Sequence, residues 1–263
     1  MKNNRPKIKF FAECIASQFD EKIIPLEKIV AEEELDVFYD DYETNTFDGM
    51  TIFDRGKFYI HLNTAKNNHP NSDRGRFTLA HELGHYFIDT HRIGLRKGLL
   101  EPHPSHPNRN QFYAIEREAD YFASCLLMPE TRFLQDVRNQ KFDIEVINFL
   151  RKEYKVSRTA CAIRYADIGN YPLLILYAEN NKIQWVYTSD DFPYKQLIND
   201  NIVPQKTVMG DFFNNRNDAD VFKTEQVWAT DCFKYVKNDD QQKMFYEHCI
   251  TNRNTALSIF WRD

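Results

Sequence analysis

The sequence predicts an α+β fold. Segments in which apolar residues recur at i, i+3 and i+4, as expected for amphipathic helices, lie near the beginning and in the middle of the chain. Short segments rich in β-branched and aromatic residues are grouped in two blocks, residues 36–63 and 171–261. Helices and strands that are grouped in this way are typical of α+β proteins.

The composition is that of a globular protein from the cytoplasm. Hydrophobic residues make up 42% of the 263 residues, which is enough for a sizeable core in one large domain or two small ones. Neither the apolar core of a signal peptide nor the roughly 20 apolar residues of a membrane span is found. The five cysteines are scattered and lack C-x-x-C spacing, which indicates reduced thiols. The net charge of −5 argues against a nucleic-acid binder.

The first third of the chain predicts two helices followed by strands. Residues 8–33 have helical periodicity that is interrupted at Pro25. Residues 37–39 and 58–62 are rich in strand-forming residues and are bounded by turn dipeptides.

Residues 81–85 read His-Glu-Leu-Gly-His inside an apolar helical run, which Ser72 or Asp73 can cap. Residues four apart project from nearly the same face of a helix, so His81 and His85 can converge on one zinc ion. Glu82 lies about 100° around the helix from His81, and its carboxylate therefore reaches beside the metal. A general base for a zinc-bound water belongs in that position.

A second helix, residues 116–128 before Pro129, offers a third ligand. Glu116 completes a set of two histidines and one glutamate, and Asp120, one turn further, can accept the free N–H of a ligating histidine. Glu118 competes with Glu116 for the ligand role, but its offset by two places it on the opposite side of the helix, so Glu116 is preferred and Glu118 is predicted to be a surface or helix-dipole charge. The alternative for such acidic residues is ordinary helix capping.

Residues 90–112, between the two motif helices, predict a long loop that covers the cleft as a lid. His103 and His106 in it are alternative metal ligands, but prolines flank both, so solvated histidines are favoured. A strand beside a zinc helix can pair with an extended substrate, and residues 58–63 are the candidate, with an ordinary sheet strand as the alternative. The candidates for the donor that stabilises the oxyanion are Tyr113, His103 and His61.

Residues 143–169 predict two helices that look like a helix-turn-helix. Arg158 and Arg164 against Asp167 leave one net positive charge on the second helix, whereas DNA-binding proteins cluster several. A structural pair that packs against the zinc-binding domain is favoured, and DNA binding is not expected. Residues 173–178 and 182–187 then predict a β-hairpin, and residues 256–261 a last strand, in a small α+β module without a ligand motif.

Two stretches resemble the ImmA/IrrE family of metallopeptidases. They are residues 74–85, Arg-Gly-Arg-Phe-Thr-Leu-Ala-His-Glu-Leu-Gly-His, and residues 116–129, Glu-x-x-Ala-Asp-x-Phe-Ala-x-x-Leu-Leu-Met-Pro. The Phe-Asp-Gly at residues 47–49 and the strand at 58–63 are also similar to the family, and the resemblance extends over residues from about 20 to 170. It implies a thermolysin-like (gluzincin) mini-domain followed by a sensor-like module. Zinc would be held by His81, His85 and Glu116, with Glu82 as the base.

The resemblance also implies a function. Members of the family cleave helix-turn-helix repressors of mobile-element or stress genes, so we predict a zinc endopeptidase with such a repressor as its protein substrate. The alternatives are a non-catalytic interaction protein on a peptidase fold and a DNA-binding regulator that uses residues 143–169. The predicted domains are residues 1–130, 131–170 and 171–263, and the sequence does not indicate an oligomeric state.

Overall fold

The fold is α+β, as the sequence predicts. The computed structural model describes residues 4–100, 113–215 and 221–262. The chain divides into two compact units, Met1–Asp136 with Phe149–Ser157, and Val137–Asn148 with Arg158–Asp263. The three predicted domains stay a prediction about which segments fold independently.

The first unit combines helices with a small sheet. Its helices are α1 (Arg5–Ala16), α2 (Leu26–Glu32), α3 (Asp73–Phe87), α4 (Asp89–Arg96), α5 (Tyr113–Leu127) and α6 (Glu130–Val137), and α7 (Ile144–Tyr154) has residues in both units. Helix α5 packs against α1 and α3. Its predicted apolar face is buried, namely Ala119, Phe122, Ala123, Leu126 and Leu127. The two helices predicted on either side of Pro25 are confirmed.

The sheet of the first unit has three strands, β1 (Asp36–Asp40), β2 (Gly49–Asp54) and β3 (Lys57–Asn63), in the order β1-β3-β2. Strand β3 pairs in parallel with β1 and antiparallel with β2. Because both of its edges are occupied, β3 cannot pair with a substrate as the sequence analysis proposed. Strand β2 is an edge strand, and α3 packs against it.

The second unit is built on an antiparallel sheet of five strands in the order β5-β4-β8-β7-β6. Its elements are α8 (Arg158–Ile168), β4 (Leu174–Glu179), β5 (Lys182–Thr188), α9 (Val208–Asn215), β6 (Phe222–Trp228), α10 (Ala229–Cys232), β7 (Met244–Asn252) and β8 (Thr255–Trp261). The predicted hairpin is confirmed as β4–β5, and its turn residues Asn180 and Asn181 both have positive φ, as a tight hairpin turn requires. The predicted last strand is β8.

Two other predictions need correction. Residues 90–112 do not begin as a loop, because α4 occupies Asp89–Arg96. The part of the proposed lid at residues 101–112, with His103 and His106, lies outside the described residues. The helical pair at 143–169 is present as α7 and α8, but α8 belongs to the second unit and packs against β4 and β5. None of the helices in the described part of the chain combines the length and the hydropathy that a membrane span needs.

Candidate metal centre

Helix α3 places the His-Glu-Leu-Gly-His segment in the interior of the first unit. The helix begins after Ser72, whose hydroxyl oxygen accepts a hydrogen bond from the backbone N–H of Gly75 at 2.9 Å. The side chains of His81, Glu82 and His85 are all buried. Buried polar groups require partners, so what faces these three side chains defines the site.

The close approach of α3 and α5 brings the third donor to the two histidines. A Cβ atom added at Gly84 would lie 3.1 Å from the Cα of Ala119, which is tighter than ordinary contacts. Glycine at this point of α3 and alanine at the facing point of α5 therefore let the two backbones come together. Glu116 lies almost one turn before Ala119 and consequently reaches His81 and His85.

The structure brings His81, His85 and Glu116 together as a cluster that could hold a metal ion. The Nε2 atoms of the two histidines are 3.1 Å apart. Glu116 Oε2 lies 3.4 Å from His81 Nε2, and Oε1 lies 3.2 Å from His85 Nε2. Donors about 2.0–2.1 Å from a tetrahedral ion lie about 3.3 Å from one another, so the observed separations fit a zinc ion.

Asp120, which the sequence analysis proposed as the partner of a ligating histidine, contacts His81. Its Oδ1 is 2.8 Å from His81 Nδ1, on the side of the ring away from the cluster. When Nδ1–H donates to this carboxylate, the lone pair of the neutral imidazole is on Nε2, which faces Glu116. Burial opposes protonation of His81, but the hydrogen bonds with Asp120 and Glu116 outweigh it and raise its pKa well above the usual value. Burial lowers the pKa of His85 to about 3, so this imidazole is neutral.

Glu82 stands beside the cluster rather than in it. Its side chain is fully buried between α3 and β2, and its Oε2 accepts a hydrogen bond from Thr51 Oγ1 at 2.8 Å. The three cluster donors are His81, His85 and Glu116, so the carboxylate of Glu82 is not needed to complete the set.

Sequence reasoning missed a second histidine–glutamate pair next to the cluster, in which the histidine is buried and the glutamate is partly exposed. His91 of α4 is buried, its Nε2 lies 3.0 Å from Glu118 Oε2, and its ring lies 5.2 Å from that of His85. Glu118 was predicted to be a surface or helix-dipole charge; 31% of its side chain is exposed, and the prediction did not include its contact with His91. No local pattern could have found the pair, because 27 positions separate the two residues.

Of the three candidates for the oxyanion donor, only His61 has a side chain that the structure describes, and it does not lie at the cluster. His61 lies on β3 opposite Met50, so it is on the other face of the sheet from Thr51, which contacts Glu82. Its Nδ1 is 2.7 Å from the hydroxyl of Tyr42. The prediction for His61 was therefore wrong. His103 and the side chain of Tyr113 lie outside what the structure describes.

Comparison with known proteins adds two findings. Residues 32–165, just over half of the chain, match the peptidase family described as IrrE N-terminal-like domain. A solved structure of a Mycobacterium tuberculosis transcriptional regulator is similar, with a TM-score of 0.61 and 13% sequence identity. The similarity covers 97% of this chain and 76% of that one, and at this identity it shows the fold alone. No curated protein matches the chain significantly. The match over residues 32–165 shows that the chain belongs to the ImmA/IrrE family of metallopeptidases.

Proposed function

We propose that the chain is a zinc-dependent endopeptidase that cleaves one specific protein, a DNA-binding repressor of the helix-turn-helix type. The observation that carries the proposal is the convergence of two imidazoles and the carboxylate of Glu116, whose donor atoms lie 3.1–3.4 Å apart. A second carboxylate, that of Glu82, is buried on the helix that carries the two histidines. Family membership supports a metallopeptidase. In this proposal the first unit is a thermolysin-like mini-domain and the second unit a sensor-like module.

Each residue of the site has a separate proposed role. His81, His85 and Glu116 would hold the zinc ion, and Asp120 would orient His81 through its Nδ1–H. A bound zinc ion lowers the pKa of water and polarises a peptide carbonyl. The carboxylate of Glu82 would accept the proton of the attacking water and pass it to the nitrogen of the leaving amine.

The free edge of β2 is our proposed binding site for the substrate backbone. The backbone N–H of Asn63 donates to the carbonyl of Asp48, so these two residues form a hydrogen-bonded antiparallel pair. Because hydrogen-bonded and non-bonded pairs alternate, the backbone groups of Gly49, Thr51 and Phe53 point away from β3. An extended peptide can pair with them by β-augmentation. This strand replaces β3, to which the sequence analysis assigned the role.

A repressor is the proposed substrate for two reasons. Members of the family that the motifs resemble act on such proteins, and the structural relative from Mycobacterium tuberculosis is described as a transcriptional regulator. Binding energy from one specific partner could be used to assemble the site, which would restrict cleavage to that partner.

The first experiment measures zinc. We expect the purified chain to hold about one zinc ion, lost in His81→Ala, His85→Ala and Glu116→Ala and retained in Glu82→Gln, because only the first three are proposed ligands. Elemental analysis after dialysis decides this. Full zinc occupancy in Glu116→Ala would remove Glu116 from the ligand set.

The second experiment measures cleavage. The zinc-loaded chain is incubated with helix-turn-helix repressors encoded next to it and, separately, with casein, and Glu82→Gln is the inactive control. We expect cleavage of one repressor and none of casein. Rapid hydrolysis of casein that depends on Glu82 would contradict the proposed specificity but would still support the proposed peptidase activity.

The rival function is a non-catalytic regulator on a peptidase fold, which the description of the structural relative as a transcriptional regulator favours. The same experiment separates the two, because a regulator of this kind would bind a repressor without cleaving it. A binding-only protein also has no need of a buried carboxylate beside the metal cluster. The intact Glu82 therefore supports the peptidase.

A further inference from the structure

Strand β2 contacts the carboxylate of Glu82 at two points, and we propose that Gly49 and Thr51 are positioning residues that fix this carboxylate for proton transfer. The inference deepens the proposed function and rests on it, since it concerns the proposed base. The sequence assigns neither residue a role: Gly49 is the last residue of the Phe-Asp-Gly stretch that resembles the family, and Thr51 reads as an ordinary strand residue.

Thr51 fixes one oxygen of the carboxylate. Its side chain is buried, and Oγ1 donates a hydrogen bond to Glu82 Oε2 at 2.8 Å while lying 3.1 Å from the carbonyl oxygen of the same residue. A hydrogen bond to a carboxylate is among the stronger ones in proteins. Threonine is β-branched and therefore stiff at χ1, so the direction of the hydroxyl group is set by the strand.

Gly49 leaves the space in which the other oxygen lies. A Cβ atom at this position would be 2.5 Å from Glu82 Oε1, 2.9 Å from Glu82 Cγ and 2.8 Å from Thr78 Cγ2. Separations this short do not occur for real Cβ atoms, so even alanine would force the glutamate side chain to move. Gly49 is not among the glycines with positive φ. The backbone conformation at this position does not require glycine. What requires it is the space that the side chain of Glu82 occupies.

The two contacts act together because they come from one face of one strand. Residues two apart in a strand point to the same side, and here that side is packed against α3. The backbone groups of Gly49 and Thr51 also face the free edge of β2, where we place the substrate. Strand β2 would thus bind the scissile peptide at its free edge and also contact the carboxylate of Glu82, which belongs to α3. The distance between the peptide and the proposed base would therefore be set by this one strand.

The first test measures the contacts without any catalysis. Melting temperatures are compared for metal-free full-length chains carrying Thr51→Val, with either Glu82 or Glu82→Ala. Loss of a buried hydrogen bond to a carboxylate should lower the melting temperature by about 3–10 °C when Glu82 is present. In the Glu82→Ala background the same substitution should cost less, because only the 3.1 Å contact with the backbone carbonyl oxygen of residue 82 is left to lose. Equal losses in both backgrounds would overturn the inference.

Gly49→Ala gives an independent steric test in the same assay. It should lower the melting temperature of the chain with Glu82 and be relieved when Glu82→Ala is combined with Thr78→Ser, because these two changes remove all three short contacts. A destabilisation that persists in the combined variant would show that Glu82 is not what Gly49 accommodates.

The second test measures cleavage of the identified substrate at full zinc occupancy. Thr51→Val and Gly49→Ala should lower kcat by roughly 10–100-fold with KM unchanged, since a small displacement of a catalytic group has effects of this size. Thr51→Ser keeps the hydroxyl group and should restore most of kcat. Wild-type kcat in Thr51→Val would overturn the inference. If the unaltered chain cleaves nothing, the proposed function fails, and the melting temperatures still decide whether β2 fixes Glu82.

Discussion

Replacing Asp120 with alanine is expected to weaken zinc binding about 10-fold without abolishing it. Asp120 Oδ1 lies 2.8 Å from His81 Nδ1, on the side of the ring away from the cluster, so in the proposed site the carboxylate would orient this imidazole. Partners of this kind typically contribute 10–100-fold to metal affinity. The side chain of Asp120 is 57% exposed, so water screens its charge and the lower end of that range applies. A 10-fold loss corresponds to about 1.4 kcal/mol.

The measurement is a competition titration of the metal-free chain against a chelator of known zinc affinity, at one fixed pH. Asp120→Asn is the graded control, because its amide oxygen can still accept the Nδ1–H of His81 although the charge is gone. Its loss should be smaller than that of Asp120→Ala. His81→Ala marks the effect of removing a ligand.

Two outcomes would refute this reasoning. Unchanged affinity in Asp120→Ala would mean that the hydrogen bond does not orient His81. A loss as large as that of His81→Ala would mean that Asp120 is itself part of the ligand set, which the 2.8 Å contact with Nδ1 argues against.

Two further predictions concern the second unit. Glu247 accepts hydrogen bonds from the backbone N–H groups of Val208 and Met209, but burial raises its pKa from 4.5 to about 7. The folded state therefore binds this proton more tightly than the unfolded state, so stability should fall as the pH rises from about 4.5 through 7. Melting temperatures of Glu247→Gln should depend less on pH over this interval, and parallel curves would contradict the assignment. Helix α8 should not bind DNA sequence-specifically. Of its two basic residues, Arg164 is fully buried and Arg158 is only partly exposed, so the helix offers little positive charge to the phosphates. A selective mobility shift at physiological salt that is lost in Arg158→Ala would show the opposite.

The arrangement within each motif helix could be predicted from the sequence. The spacing of His81 and His85 fixes their relation on one helix, and the spacing of Glu116 and Asp120 does the same on the other. Whether the two helices meet at these residues depends on tertiary packing. The sequence nevertheless contains the two small residues that allow it, because Gly84 and Ala119 let the helix backbones come close together. The structure accordingly brings the three predicted donors together.

The errors arose where the structure depends on contacts distant in sequence. Strand order is non-local, so β3 could not be recognised as the central strand, nor could the face of His61 be assigned. Helix α4 looks like part of a loop because it is short and contains Gly94. One of its tertiary contacts is the hydrogen bond between His91 and Glu118, which no local pattern reveals.

The three carboxylates near His81 differ in exposure in the order that their proposed roles require. Glu82 is fully buried, and a base shielded from bulk water passes the proton it accepts to the leaving nitrogen rather than to solvent. The side chain of Glu116 is 16% exposed and is held between two imidazoles, as a ligand should be. Asp120 is the most exposed and reaches the cluster only through His81. Removing Glu82 should therefore stop catalysis with zinc retained, removing Glu116 should release the zinc, and removing Asp120 should only weaken its binding.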